Sequence, residues 1–498
     1  MSVIKKLAGE TVYYGISSIL GRILHFVVLT PFYTSPDIFS KEEYGLVTEL
    51  FTYSAILMVF LSFRMETTFF RYGSDKGNFE KSFSTASIFL LVSTLLFAVP
   101  IWIFSDSIAQ SFNLEGQAYY IKLIVLIISF DTLAAIPFAK LRLKNRPRKF
   151  AFLKVLNVLI NLTFVLLFLW FIPKHGSEGL LGLHDKMNLD GTGVIFVFWS
   201  GLIASALIFL SLLFEYKGVK LSFDFSLWKK MLRYTLPLVV VGLCAVFNKE
   251  AGYLLLKYLL DGDMESRRAL IGIYSANVKL AVIMSLFTQA YNYAVEPFFF
   301  NNKNREDNRQ LYADSALLYV LVGAIAFVGI MAFLPILKII IQNEEMYVGL
   351  GVVPYLLFAY ILLGVYYNLS VWFKLTDRTQ FAAYIAVASS IVTAIVAVIA
   401  IPMFSYYGVA YAAVACYLVM VSLSYYYGRK YYPIPYNLAK IGMYLGMAVL
   451  LNYARVKVVG ILEPALLGEL MIGAITSCLF VGLIILREQA YFKRILGK

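Results

Sequence analysis

Six side chains interrupt long apolar runs and carry most of this sequence's chemical potential: Glu49, Lys249, Glu250, Lys279, Gln289 and Glu296. The stretch 271–300 holds three of them in a segment otherwise apolar enough for lipid. A charged side chain near a bilayer centre costs roughly 2.5–3.5 kcal/mol on insertion scales. Such a helix cannot face lipid all round. Gln289 and Glu296 are seven residues apart, so they fall on nearly one helical face. Lys279 lies about 80–100° away, on the same half of the helix. Two readings stay open. The charges form buried ion pairs that only fix packing, or they wall a wet cavity that holds an anion. Arg22 and His25 extend the pattern to the first apolar run, on one polar stripe with Gly15 and Ser18. Glu66 ends the second run and Asp131 sits inside the fourth, at a depth expected to match Asn161. Asp131 reads as half of a hydrogen-bonded helix pair or as a proton or cation site.

The elements that would position these residues are membrane spans. The chain has 498 residues, of which 60% are hydrophobic, with a mean hydropathy of +0.76. That composition belongs to an integral membrane protein. Apolar runs recur near the ~20 residues that a spanning helix needs. Fourteen are expected, at 8–33, 44–63, 83–104, 118–140, 150–172, 193–214, 234–260, 271–300, 311–334, 351–373, 381–402, 408–427, 438–453 and 465–486. Lys249 is then about sixteen residues, or roughly 24 Å, from the end of its span. Lys257, near the far end of the same span, is expected to snorkel. The last two spans read as nearly charge-free. The segment 215–233 reads as an amphipathic connector at the interface, with Phe223, Phe225 and Trp228 among lysines.

The net charge of +13 does not imply nucleic acid. Basic residues gather in alternate loops, for example Lys140 to Lys149, while acids such as Asp106, Glu178 and Glu344 occupy the others. This positive-inside pattern places both termini in the cytoplasm. Cys244, Cys416 and Cys478 lie in apolar runs and read as small core residues. No Walker-type phosphate loop, dinucleotide fingerprint, H-E-x-x-H or G-x-S-x-G occurs in the sequence. His175 and His184, in a long connector, make a weak metal pattern. Asp261-Gly262-Asp263 is a D-x-D that reads as an acidic turn before it reads as a metal site.

A faint repeat underlies the chain. The second span begins Tyr44-Gly45 and ends Glu66-Thr67-Thr68-Phe69-Phe70; the eighth begins Ile271-Gly272 and ends Glu296-Pro297-Phe298-Phe299-Phe300. Six spans separate the two, so the copies share an orientation, and transporter sites tend to lie between such halves. The expected fold class is therefore an all-α polytopic membrane protein, with about 14 transmembrane helices. Two six-helix lobes in parallel pseudo-repeat, 1–218 and 219–430, would precede two appended helices and a tail, 431–498.

Residues 272–281 with Gln289 and Glu296 to Phe300, Met65-Glu66-Thr67, Phe69-Phe70-Arg71, and Tyr432-Pro433-Ile434-Pro435-Tyr436 resemble one bacterial family. It is the Wzx-like polysaccharide or oligosaccharide flippases of the multidrug/oligosaccharidyl-lipid/polysaccharide exporter superfamily, in its Bacteroidota form. Relatives tend to carry Asp-Arg late in the seventh helix, where this chain has Gly252-Tyr253, and an Arg where it has Asn292. The resemblance implies two lobes around a cavity lined by helices 1, 2, 7 and 8, with helices 13 and 14 forming a lipid-tail groove. It implies transport of a polyprenyl-diphosphate-linked (undecaprenyl-type) oligosaccharide from the inner to the outer leaflet of the bacterial cytoplasmic membrane. That would serve surface polysaccharide or lipopolysaccharide assembly, beside a polysaccharide polymerase and glycosyltransferases. Arg22, His25, Lys249 and Lys279 become substrate-binding candidates, since arginine and lysine suit a diphosphate. Glu49, Glu66, Asp131, Glu250, Gln289 and Glu296 become gating or ion-coupling candidates. No catalytic residue, metal or cofactor is expected, and the candidate coupling ions are H+ and Na+. The rival readings are a lipid II-type peptidoglycan-precursor flippase, a drug/cation antiporter of the same fold, and a membrane glycan polymerase.

Overall fold

The computed structural model describes residues 20–74, 77–301, 307–376 and 378–491. Both chain ends, with Gly15, Ser18 and the start expected for the first span, lie outside the described residues. Among those described, thirteen helices are long and apolar enough to cross a membrane, and a shorter apolar helix precedes them. We number these α1 (Leu20–Tyr33), α2 (Lys41–Gly73), α3 (Phe79–Ile103), α4 (Ala118–Leu143), α5 (Pro147–His175), α6 (Val194–Tyr216), α7 (Phe225–Leu259), α8 (Met264–Asn301), α9 (Asn308–Ala332), α10 (Glu344–Leu375), α11 (Gln380–Phe404), α12 (Tyr406–Tyr431), α13 (Leu438–Leu462) and α14 (Leu466–Arg487). The polytopic all-α expectation holds, with one helix for each of the fourteen apolar runs.

The chain divides into two compact units, 1–275 and 276–498. In the first, α4 packs against α2, α3 and α6, α5 packs against α6, and α7 runs along α2. In the second, α12 packs on α10 and α11, while α9 holds α13 and α14.

Several boundaries moved from the sequence expectation. α7 begins at Phe225, nine residues before the expected start, because Asp224 accepts from the Leu227 N–H at 2.9 Å and caps the helix there. Only 217–224 remains as connector. The 174–192 connector contains a helix, Glu178–Met187, where the His184 ring stacks on Phe196 at 4.4 Å and meets the Phe168 carbonyl at 2.9 Å. His184 is thus held by packing, and no group of three metal-ligating residues exists among the described residues.

α2 is broken. Phe63 and Arg64 are consecutive non-glycine residues with φ of 46° and 50°, a left-handed conformation costing about 1–2 kcal/mol per residue. α7 supports the break: the Thr235 hydroxyl donates to the Phe63 carbonyl at 2.5 Å. Gly242 leaves room for Arg64, whose Nε would lie 2.7 Å from an added Cβ.

The last two spans are not charge-free. Arg455 is buried on α13 and faces Glu469 at 3.7 Å. At the opposite end of the pair, Glu488 is buried just past α14. Burial pushes its carboxyl up, but hydrogen bonds from Lys440 and Tyr444 outweigh this and hold it below its ordinary 4.5. Tyr444 donates at 2.7 Å and Lys440 at 2.8 Å. A depressed carboxylate stabilises the fold above its unfolded value and loses that contribution as pH falls through the folded one. Wild type is therefore expected to lose thermal stability below about pH 4.5. Glu488→Gln should be less stable at pH 7 and show a smaller acid dependence, read by melting curves from pH 7 to 3.5.

Candidate functional site

The best-organised polar cluster is built at the end of α2 farthest from the basic loops. Ser40 starts that helix with a capping box: its hydroxyl accepts from the Glu43 N–H at 3.1 Å, and the Glu43 carboxylate accepts from the Ser40 N–H at 2.7 Å. Glu49 and Tyr53 follow on one face, four residues apart. Glu49 is fully buried, and so is Lys257 of α7. Lys257 Nζ lies 2.5 Å from Glu49 Oε1, and Arg268 Nε of α8 lies 3.1 Å from Oε2. Tyr53 donates to Oε1 at 3.2 Å.

The two cations also reach one short helix, Ser105–Ser111. Lys257 donates to the Phe112 carbonyl at 2.5 Å and to Tyr53 at 3.3 Å, so its three N–H bonds are all used. Arg268 donates to the Asn113 carbonyl at 3.2 Å. These carbonyls sit at the helix's C-terminal end, where the dipole favours cations. Tyr53 stacks on Phe112 with ring centroids 4.3 Å apart. One buried carboxylate thus ties α2, α7, α8 and the α3–α4 loop together.

The approach of α2 to α8 depends on two glycines. A Cβ on Gly45 would lie 1.9 Å from the Arg268 carbonyl oxygen, and one on Gly272 would lie 2.0 Å from that of Lys41. Each glycine faces the carbonyl four residues before the other, so the contact is reciprocal. The Thr48 hydroxyl donates to Ser275 at 2.9 Å one turn further in. These are the glycines that open the two copies of the sequence repeat.

Arg22 and His25 are exposed on α1, where His25–Leu29 forms a π-helical turn. Lys249 and Glu250 form an ion pair between neighbours, with the Lys249 side chain 69% exposed. Glu66 pairs with Arg142 at 2.9 Å, both half-exposed. Asp131 is half-buried, with Ser205 of α6 and Lys154 of α5 as its polar neighbours. Lys279 is half-buried. Gln289 donates to Ser285 at 3.2 Å. Glu296 pairs with Lys374 at 2.6 Å beside a cavity of about 10 Å³, lined also by Asn292 and Tyr367. Of the ten, Lys249 and Glu250 are brought together; Glu49, Glu66 and Glu296 each meet a cation that was not among the predicted site residues. Asp263 caps α8, accepting from the Ser266 N–H at 2.8 Å, and the Ser266 hydrogen bonds hold its carboxyl below the usual range. The D-x-D is a helix start.

Sequence reasoning missed Lys257 and Arg268. Lys257 does not snorkel, because Glu49 and two further acceptors wait beside it. The available signal was stoichiometric: a buried Glu49 demands a cation, and Lys257 was the lysine nearest the matching end of its span.

A family model described as polysaccharide biosynthesis protein matches residues 7–303. The fold is similar to that of the lipid II flippase MurJ in an inward closed conformation, at TM-score 0.72 and 14% identity, over 98% of this chain and 100% of that one. It is also similar to multidrug resistance MATE transporters of the MOP superfamily. An inward-facing form gives TM-score 0.55 at 16% identity, over 86% of this chain and 94% of that one. An outward-facing form gives 0.59 at 14%, over 84% and 95%. No curated protein matches the chain.

Proposed function

The chain belongs to the polysaccharide biosynthesis protein family, and from that premise we propose that it flips a polyprenyl-diphosphate-linked oligosaccharide between leaflets of the bacterial cytoplasmic membrane, inner to outer. The observation that carries this reading is Lys249. It is exposed on a 35-residue span, about ten residues or 15 Å from the nearer helix end. A charge exposed at that depth is tolerated where it lines water or meets a ligand. Its neighbour Glu250 pairs with it but leaves the ammonium accessible. Arg22 is exposed on α1. Together with Lys279 these cations would hold the diphosphate, arginine by bidentate hydrogen bonds and lysine as a point charge. His25 would add a hydrogen bond to the glycan or phosphate.

Transport then follows alternating access. The Glu49–Lys257–Arg268 cluster closes the face opposite the basic loops while the diphosphate enters from the basic side. Glu66, Glu250 and Glu296 would exchange partners as the bound anion competes for their cations, with Gln289 as a neutral gating residue. Asp131 and Glu296 are candidate carboxylates for a coupling H+ or Na+. The lobes 1–218 and 219–430 would move, with 431–498 against the lipid tail.

The likeness to the MurJ fold supports one second reading, a lipid II-type peptidoglycan precursor with the same diphosphate. Proteoliposomes carrying labelled undecaprenyl-diphosphate oligosaccharide, lipid II or a cationic dye separate the readings. The proposal expects movement of the oligosaccharide lipid, with a rate lowered at least tenfold by Lys249→Ala. Movement of lipid II alone supports the second reading, and movement of the dye alone overturns both.

A further inference from the structure

The connector between α6 and α7 is pinned to the start of α3. The Ser222 N–H donates to the Ser84 hydroxyl at 2.7 Å, and the Asp224 N–H donates to the Thr85 hydroxyl at 3.2 Å. Ser84 in turn donates to the Lys220 carbonyl at 3.3 Å. This fixes Phe223, and the capped start of α7 fixes Phe225 and Trp228. Their rings pack on one another, Phe225 to Trp228 at 5.1 Å and Phe223 to Trp228 at 6.1 Å. Phe89 of α3 closes the base at 6.0 Å from Trp228. Between them runs a groove of about 350 Å³, lined also by Val92 and Leu96. Its wall is not sealed by protein, since Leu96 is 68% and Phe225 65% exposed. From Phe89 to Leu96 the groove follows α3 for about 10 Å, enough for a stretch of hydrocarbon chain.

The mouth of this groove is basic. Lys81 lies seven residues before Ile88, a lining residue, and so on the same face of α3. Lys229 lies four residues after Phe225 on α7, and Lys220 precedes Phe223 on the connector. All three lysines are exposed. The nearby Asp224 is already engaged as the cap of α7. Lysines beside a membrane surface favour anionic headgroups by about 1 kcal/mol each.

We propose that this groove binds one anionic phospholipid, its acyl chain along Phe89–Leu96 and its headgroup on Lys81, Lys220 and Lys229. The binding surface is preformed, since the connector's hydrogen bonds and the α7 cap hold it without a ligand. It is separate from the Glu49 cluster and from Lys249, so it stands or falls independently of the transport reading.

Trp228 is the natural reporter. The other four tryptophans can be replaced with phenylalanine, leaving Trp228 alone, in nanodiscs containing phosphatidylcholine. Lipids brominated in mid-chain quench nearby indoles. Brominated phosphatidylglycerol at low mole fraction is expected to quench Trp228 at least about fivefold more effectively than brominated phosphatidylcholine. The preference should vanish in Lys81→Gln/Lys220→Gln/Lys229→Gln, while quenching by brominated phosphatidylcholine stays unchanged and reports an intact groove. A chain with Trp102 alone, at the far end of α3, should show no preference. Equal quenching by both lipids at Trp228 would overturn the proposal. So would relief of the quenching by a polyprenyl phosphate but not by unbrominated phosphatidylglycerol, which would give the groove to a polyprenyl carrier instead.

Discussion

Loss of the Glu49 carboxylate is expected to be among the most destabilising single changes in the first unit. The carboxylate is fully buried with Lys257, and Arg268 completes its shell. Removing its charge leaves two cations facing each other and two carbonyls. Breaking a buried pair by removing one partner costs about 3–5 kcal/mol, because the remaining charge stays desolvated. The amide can still accept one hydrogen bond, so Glu49→Leu should be worse than Glu49→Gln. Lys257→Met alone should also be severe, since it strands the carboxylate with Arg268 and leaves the Phe112 carbonyl without its donor. The double variant Glu49→Leu/Lys257→Met should recover much of the loss, because an apolar pair of similar volume avoids the desolvation of both ions. Arg268, which is partly exposed, can then turn toward solvent and keep its bond to Asn113. Thermal melting of the four proteins in one detergent checks this. Additive losses in the double variant would mean that the three groups are not one cooperative cluster.

The second large effect belongs to Gly45 and Gly272. Alanine at either position places a Cβ about 2 Å from a backbone carbonyl of the opposing helix. No rotamer relieves a collision between Cβ and main chain. The helices must separate, which disturbs the Thr48–Ser275 bond and the Glu49 cluster one turn away. Overpacking typically costs about 1–3 kcal/mol and occasionally more, and here it also displaces a buried charge network. Gly45→Ala and Gly272→Ala are each expected to lower the melting temperature and cut translocation at least tenfold. Gly442→Ala is the control: nothing lies within 4 Å of its added Cβ, and alanine favours a helix over glycine by up to about 1 kcal/mol. It should be neutral or stabilising. Tolerance of alanine at both Gly45 and Gly272 would mean that α2 and α8 need not touch there.

Much of this was legible in the sequence. Apolar length and alternate basic loops gave the number of spans, because both follow from lipid thickness and solvation and need no tertiary information. The repeat that begins at Tyr44-Gly45 and Ile271-Gly272 pointed to the two helices that cross. What stayed hidden depends on pairing across the chain. Glu49 and Lys257 are 208 residues apart, and no local pattern joins them. The break at Phe63–Arg64 carries neither glycine nor proline, so the usual marks of a kink are missing; Thr235 and Gly242 of another helix permit it. Arg455 was overlooked because the thirteenth run was expected to end at 453, whereas the helix continues to Leu462. The start of α7 was misplaced because an amphipathic turn at an interface and the first turns of a long helix share one pattern, and a single cap at Asp224 decides between them.

The most direct test of the account measures the initial translocation rate of a labelled undecaprenyl-diphosphate oligosaccharide in proteoliposomes. Wild type is compared with Arg22→Ala/Lys279→Ala, both verified as folded by their melting curves. The cation-held diphosphate predicts a wild-type rate that rises with protein density and falls to the protein-free background in the double variant. Equal rates in the two proteins would contradict it and reduce these cations to packing residues.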